Sequence, residues 1–107
     1  MATSARLAPA TMLRSAPLRR RGLKARAFAK ELDRATPALV DRAEGRCELR
    51  HLFTCAGQLH RHHRLRRSHG GTNELSNLLL VCDRHHRYIH AEPAIAYAQG
   101  WLVRSGS

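Results

Sequence analysis

Three kinds of feature are scarce in this sequence, and each shortage excludes a class of protein. No stretch approaches the ~20 apolar residues that a membrane-spanning helix needs, so no membrane partner is expected. The three cysteines are odd in number, which argues against a closed disulfide framework. Acidic residues are few, with 8 Asp and Glu against 19 Lys and Arg, a formal net charge of +11 in 107 residues. A single domain this basic is expected to bind a polyanion, most commonly nucleic acid.

The segment Met1–Arg26 contains seven basic residues and no acidic one. Ala, Ser, Thr and Pro fill most of the rest, and such a segment buries too little apolar surface to order itself. We therefore expect a basic flexible arm over residues 1–26 that lies along phosphates, followed by one domain over residues 27–107. An Arg-rich, acid-poor leader is also typical of a mitochondrial transit peptide, which would direct the protein to an organelle.

Apolar residues recur at helical spacing after the arm, and Pro37 interrupts them. Thr36 and Pro37 are typical of an N-cap followed by proline at the first helical position. Two helices are therefore predicted, Ala27–Ala35 and Pro37–Glu44.

Further along, turn residues separate two short strand-like segments, and a helical segment follows them. The order strand, loop, strand, helix predicts an α+β fold built on a ββα unit. Asp83 is expected to cap the helix of this unit. The predicted elements are a loop or knuckle over Arg46–Leu59, a strand over His60–Leu65, a loop over Ser68–Ser76, a strand over Leu78–Val81, a helix over Asp83–His90, and a short helix that begins at Pro93 and ends at Gly100.

All eight histidines lie between His51 and His90, and the three cysteines lie between positions 47 and 82. Such clustering is typical of metal sites. One candidate set is Cys47, Cys55, Cys82 and His85, a structural zinc site whose ion would stabilise a small core. Seven residues separate Cys47 from Cys55, more than the usual two to four, so His51 is an alternative ligand. The three cysteines are alternatively small buried hydrophobic residues.

A second candidate set comprises His62, His63, Asn77, His86 and His90. His86 and His90 are four residues apart and share one helical face, whereas neighbours in a strand point to opposite sides. Phosphodiester hydrolysis needs a divalent cation and a base that takes a proton from water, and imidazole suits both roles. A second zinc site or a solvated histidine cluster is the competing interpretation.

The order of these residues resembles the HNH endonuclease family, most closely its small phage-type members with a zinc-braced ββα-metal unit. The resemblance covers about residues 46–93. It rests on paired histidines, Gly-Gly, Asn-Leu, a Cys-x2-His-His segment and a final histidine. It implies a small ββα-metal (His-Me finger) domain with its core at about residues 58–92, N-terminal helices and a structural zinc knuckle. The segments that carry the resemblance are Leu59-His60-Arg61-His62-His63-Arg64, Gly70-Gly71-Thr72, Asn77-Leu78, Val81-Cys82-Asp83-Arg84-His85-His86 and Ile89-His90.

The resemblance also assigns roles. His62 and His86 would bind the catalytic cation, and His63 would be the general base. Asn77 would tie the loop to the strand and orient the base, while His90 would be a further ligand or a phosphate contact. Structural zinc would lie at Cys47, Cys55, Cys82 and His85, although the family's usual knuckles are two Cys-x2-Cys pairs. The predicted phosphate contacts are Arg61, Arg64, Arg66, Arg67, Arg84 and Arg87.

The function expected from the resemblance is metal-dependent DNA cleavage. The catalytic cation would be Mg²⁺, Mn²⁺, Ni²⁺, Co²⁺ or Zn²⁺, and the compartment would be the cytoplasm of a bacterial or infected host cell. Family analogy adds terminase subunits as partners beside DNA. The main alternatives are a non-catalytic, zinc-stabilised DNA-binding module and an organellar nuclease or RNA-binding protein.

Overall fold

The computed structural model describes residues 20–105, with side chains from residue 22 onward. Within that range the protein is a small α+β domain with three α-helices and one two-stranded antiparallel sheet. None of the described helices is long and apolar enough to cross a membrane. The elements are α1 (Arg20–Ala43), β1 (Leu59–His63), β2 (Leu78–Cys82), α2 (Asp83–Ala91) and α3 (Pro93–Gln99), with single 3-10 turns at Arg67–His69 and Leu75–Asn77.

Helix α1 is one continuous helix, so the prediction of two helices broken at Pro37 is wrong. The Thr36 hydroxyl donates to the carbonyl oxygen of Leu32 at 2.8 Å, as a residue inside a helix does, and does not cap a new helix. A proline inside a helix costs about 3 kcal/mol. Burial of several apolar side chains along one face, at about 1.5–3 kcal/mol for each large one, offsets that cost.

The start of α1 also differs from the expected arm. Residues 20–26, which were assigned to the flexible arm, are helical. Residues 1–19, which carry the rest of the predicted arm, lie outside the described part of the chain.

Strand β2 is apolar at every position because helices cover both faces of the sheet. Leu78 and Leu80 pack with Leu39 and Ala43 of α1. On the other face, Val81 belongs to a second cluster beneath α2 and α3. That second cluster comprises Cys47, Leu49, Val81, Cys82, Ile89, Ala96 and Leu102, with Leu79, Tyr97 and Trp101 packed against it.

The register of β1 on β2 distributes the strand histidines between the two faces. His62 pairs with Leu79 and His63 with Leu78. Because directly paired residues share a face, His62 lies on the α2 side of the sheet and His63 on the α1 side. His60, two residues before His62, is also on the α2 side.

Helix α2 begins directly after β2, but Asp83 does not cap it as predicted. Cys82 is the N-cap residue, and its Sγ accepts a hydrogen bond from the backbone N–H of His85 at 3.4 Å. Asp83 is instead the first residue of the helix. The predicted helix from Pro93 is confirmed as α3, with Gly100 in the left-handed conformation at its end.

The segment between α1 and β1 consists of turns, and Glu48 attaches it to the free edge of β2. The Glu48 backbone N–H donates to the Leu80 carbonyl at 2.7 Å, and the Leu80 N–H donates to the Glu48 carboxylate at 2.9 Å. Arg42 of α1 donates two hydrogen bonds, of 2.8 and 2.9 Å, to the same carboxylate. The cysteines of this segment are thereby held against the start of α2.

Candidate metal centres

Four side chains converge where the turn segment meets the β2–α2 junction. They are the first predicted ligand set, Cys47, Cys55, Cys82 and His85, and their potential ligand atoms all lie within 4.8 Å of one another. Cys55 is exposed, and the other three residues are buried. The group is therefore close enough to hold a metal ion such as zinc.

Distances to His85 Nδ1 allow this fit to be tested. Ligands at about 2.3 Å (sulfur) and 2.0–2.1 Å (nitrogen) from a tetrahedral ion lie about 3.5 Å apart. Cys47 Sγ is 3.5 Å and Cys55 Sγ 3.6 Å from His85 Nδ1. Cys82 Sγ is closer, at 2.9 Å. Two of the three distances therefore match tetrahedral coordination, and the third requires a small adjustment.

The surroundings of Cys82 favour a thiolate ligand, whereas burial and the neighbouring thiols raise the pKa of Cys55 to about 11 in the metal-free group. Burial raises the pKa of the Cys82 thiol, but hydrogen bonds from the backbone N–H groups of His85 and Ala56 outweigh that effect and lower the pKa to about 6. Thiolate is the form of cysteine that binds metal. Phe53 stacks on the His85 ring with centroids 4.1 Å apart and restrains its orientation.

The fold favours Cys55 over His51 as the fourth ligand. Cys55 belongs to the converging group, whereas His51 lies on the exposed outer side of the turn segment and is outside it. The long spacing between Cys47 and Cys55 is accommodated by consecutive turns over residues 48–52.

A second group unites the two predicted ligands of the catalytic cation, His62 and His86, with His90, and one imidazole nitrogen of each lies within 4.8 Å of the others. The Nε2 atoms of His86 and His90 are 3.3 Å apart. Two nitrogen ligands at about 2.0–2.1 Å from a tetrahedral ion lie about 3.3 Å apart. His62 is buried, His86 half-buried and His90 exposed, so a cation held here would be accessible from solvent.

The buried member of this group has a defined tautomer. His62 Nε2 donates to the carbonyl oxygen of Trp101 at 2.7 Å, which leaves the lone pair on Nδ1. Burial, with smaller effects of the neighbouring imidazoles, lowers the pKa of His62 to about 4 despite that hydrogen bond. Burial and then the charge of His90 also lower the pKa of His86. Neutral imidazole is the form that binds a cation.

His63, the predicted base, is on the other face of β1. Its ring lies against Phe28 of α1, with centroids 5.5 Å apart. His63 Nε2 is hydrogen-bonded to Asn73 Oδ1 at 2.8 Å. No sequence pattern singles out Asn73, because an asparagine in a Gly-rich loop is already explained by turn geometry.

Asn77 was predicted to tie the loop to the strand, and its hydrogen bonds do so. Its Oδ1 accepts from the backbone N–H of Leu65 at 2.8 Å, and its Nδ2 donates to the carbonyls of Leu65 and Thr72. The predicted base, His63, is hydrogen-bonded to Asn73 Oδ1 and not to Asn77. A side chain at Gly71 would collide with the Leu65 carbonyl, which accounts for glycine at that position.

His60 lies beside the second group but is not part of it. Its Nε2 contacts Asp83 Oδ1, and its ring stacks on His86 with centroids 5.1 Å apart. This contact packs His86 against β1 and gives Asp83 a role that the capping prediction missed.

The predicted phosphate-binding arginines fall into two groups. Arg61 is paired with Asp33 at 2.7 Å, and Arg64 donates to the carbonyls of Ser76 and Gly100, so both are engaged within the protein. The remaining four are more available. These are Arg66, which is exposed, Arg67 and Arg84, which lie over the rings of Phe28 and Phe53, and Arg87, which is exposed. Arg84 also donates one hydrogen bond of 3.2 Å to the Thr54 carbonyl.

The chain was compared with known proteins, and no family model, curated protein or solved structure matches it.

Proposed function

We propose that the protein is a metal-dependent DNA endonuclease of the HNH type. The observation that carries this proposal is the cluster of His62, His86 and His90 nitrogens within 4.8 Å on a solvent-accessible surface. A net charge of +11 favours a phosphate-rich substrate. In this proposal the ββα unit is β1, β2 and α2.

The Cys47, Cys55, Cys82 and His85 group would hold structural zinc. All four positions would be filled by protein ligands, which is typical of structural sites and leaves none for substrate. The histidine group offers three ligands and would leave positions for water and phosphate, as catalytic sites do. The two groups thus suit different roles.

The chemistry is hydrolysis of one phosphodiester bond. The bound cation would supply charge neutralisation at the phosphate and at the departing 3′ oxygen. His63 takes a proton from a water molecule, whose oxygen attacks phosphorus while the bond from phosphorus to the 3′ oxygen breaks. The 3′ oxygen then takes a proton from solvent. Because His62 and His63 face opposite sides of β1, the phosphate would lie across the end of that strand.

Four arginines would hold the flanking phosphates: Arg66, Arg67, Arg84 and Arg87. Such contacts position a nucleic acid without reading its sequence. Arg61 and Arg64 are left out of this set because Arg61 forms an ion pair and Arg64 donates to two backbone carbonyls, whereas Arg84 donates to one.

Cleavage of supercoiled plasmid tests the proposal directly. The full chain, loaded with zinc, is incubated with plasmid and Mg²⁺, Mn²⁺, Ni²⁺, Co²⁺ or additional Zn²⁺. We expect nicked or linear product with at least one cation, and a loss of about 10²–10⁴-fold in rate for His63→Ala, the usual contribution of a general base. His69→Ala, which removes an exposed histidine outside both groups, is the matched control and should cleave as the wild type does.

The non-catalytic DNA-binding module is the alternative that the same experiment separates. DNA binding in a gel-shift assay without cleavage under any of the five cations would overturn the nuclease proposal and support that module. Cleavage at equal rates by wild type and His63→Ala would overturn the assignment of the base.

A further inference from the structure

We propose that Asn73 is a positioning residue that fixes the tautomer of His63, and that α1 sets the orientation of Asn73. This arrangement makes Nδ1 the His63 atom that accepts a proton. The catalytic meaning of this inference rests on the proposed function, but the tautomer itself does not.

Asn73 is a buried side chain whose amide nitrogen and amide oxygen both form hydrogen bonds. It is 5% exposed. Its Nδ2 donates to the carbonyl oxygen of Phe28 at 3.0 Å and to Glu31 Oε1 at 3.1 Å. Its Oδ1 lies 2.8 Å from His63 Nε2. This one amide therefore joins the loop that contains Asn73 to His63 of β1 and to Phe28 and Glu31 of α1.

The orientation of the amide follows from the chemistry of its partners. A backbone carbonyl and a carboxylate only accept hydrogen bonds, so the group that faces Phe28 and Glu31 must be the NH₂ group. The group that faces His63 is then the carbonyl oxygen, which also only accepts. His63 Nε2 must therefore carry the hydrogen, and in the neutral ring the lone pair is on Nδ1.

The ring plane of His63 is restrained by the same helix. Phe28 lies against the imidazole, with centroids 5.5 Å apart. The Arg67 guanidinium lies 4.4 Å from the centroid of the Phe28 ring. With Nε2 anchored and one side of the ring packed, rotation of the imidazole would break the Asn73 hydrogen bond.

This arrangement gives α1 a role beyond packing. A base of fixed tautomer and orientation avoids the cost of reorganisation when a proton is transferred. Asn77 does not supply this restraint, because its hydrogen bonds go to Leu65 and Thr72. Asn73 and Glu31 are thus positioning residues that act through His63.

The tautomer can be read by long-range ¹H–¹⁵N NMR on the full zinc-loaded chain at about pH 8, where imidazole is neutral. We expect a protonated Nε2 and an unprotonated Nδ1 for His63 in the wild type. In Asn73→Ala the two tautomers should mix. Glu31→Ala should shift the same signals by less, because the Phe28 carbonyl still holds the amide, and Glu31→Gln should restore them because it keeps an acceptor. Asp41→Asn, an exposed change on the same helix, is the control.

Activity is measured on the same variants. The kcat of Asn73→Ala should fall about 10- to 100-fold, a part of what a general base supplies, with KM unchanged because phosphate contacts remain. Backbone amide spectra establish that each variant is folded. If Asn73→Ala fails to fold, Glu31→Ala still tests the inference, because Glu31 is exposed and its substitution should not unfold the protein.

Two results overturn the inference: a wild-type His63 with its proton on Nδ1, or a tautomer unaffected in every folded Asn73 and Glu31 variant. A protein that lacks nuclease activity yet shows the expected tautomer shifts supports the hydrogen-bond relay and overturns the proposed function. The two failures are therefore distinguishable.

Discussion

The imidazole of His62 donates a 2.7 Å hydrogen bond to the carbonyl oxygen of Trp101. A residue 39 positions further along the chain thus orients a side chain on β1 and selects the nitrogen that remains basic. Trp101 is itself held in place by α3, because its backbone N–H donates to the Ala96 carbonyl at 2.9 Å. A metal-binding histidine commonly donates its other ring N–H to a carbonyl or carboxylate. That hydrogen bond fixes the orientation of the ring and raises the basicity of the nitrogen that binds the metal.

This geometry predicts that His62→Ala weakens cation binding at the histidine group. Loss of a group that is hydrogen-bonded to a metal ligand typically lowers metal affinity by about 10- to 100-fold. Loss of the ligand itself should therefore lower the affinity for the cation by at least about 10-fold. Titration calorimetry of the zinc-loaded protein with Ni²⁺ measures the change. His69→Ala is the control, and an unchanged affinity in His62→Ala would show that the cation does not bind there.

The cysteine group yields a prediction about stability. Cys55→Ala should release the ion and lower the midpoint of thermal unfolding, since a structural metal supplies folding free energy directly. Cys55 is chosen because it is exposed, so that its side chain contributes little to packing. Zinc content per chain by elemental analysis, together with thermal unfolding, gives the result.

His51→Ala is the matched control for that substitution. His51 lies in the same turn segment, is exposed, and is outside the converging group. It should retain about one zinc per chain. Zinc retained by Cys55→Ala, or lost from His51→Ala, would contradict the ligand assignment.

Glu48 predicts a dependence of stability on pH. Burial raises the pKa of its carboxyl, but hydrogen bonds from Arg42 and from the Leu80 N–H outweigh that effect, and the pKa lies below its ordinary value of 4.5. The folded state therefore favours the charged carboxylate. Its stabilising contribution is complete above pH 4.5 and is lost as pH falls through the lower folded pKa.

The measurement compares wild type with Glu48→Gln by urea unfolding at neutral and acidic pH. At neutral pH the variant should be less stable by about 1–2 kcal/mol, the scale of hydrogen bonds to a partly exposed charged group. The difference should shrink as the carboxylate is protonated. Glu44→Gln, whose ion pairs are 3.6 and 3.7 Å long and exposed, should change little. A gap between wild type and Glu48→Gln that is constant with pH would refute the assignment.

The order of elements from β1 to α3 was predictable because each depends on local signals. Alternation of apolar runs with turn residues indicated β1 and β2, and Pro93 with Gly100 marked the limits of α3. The prediction failed at Pro37, where local propensity favours a break. Burial of the α1 face against β2 outweighs that preference, and such burial is decided by residues about 40 positions away.

The sequence alone determined which side chains are chemically able to bind metal and that they are concentrated between Cys47 and His90, because ligand type is a local property. Only the tertiary structure decided that Cys55 and not His51 joins the cysteine group, that His62 faces α2 while His63 faces α1, and that Asn73 contacts His63. Each of these depends on the register of β1 on β2 and on the helices above them. Contacts between distant segments are fixed by packing of the whole chain, and no short motif encodes them.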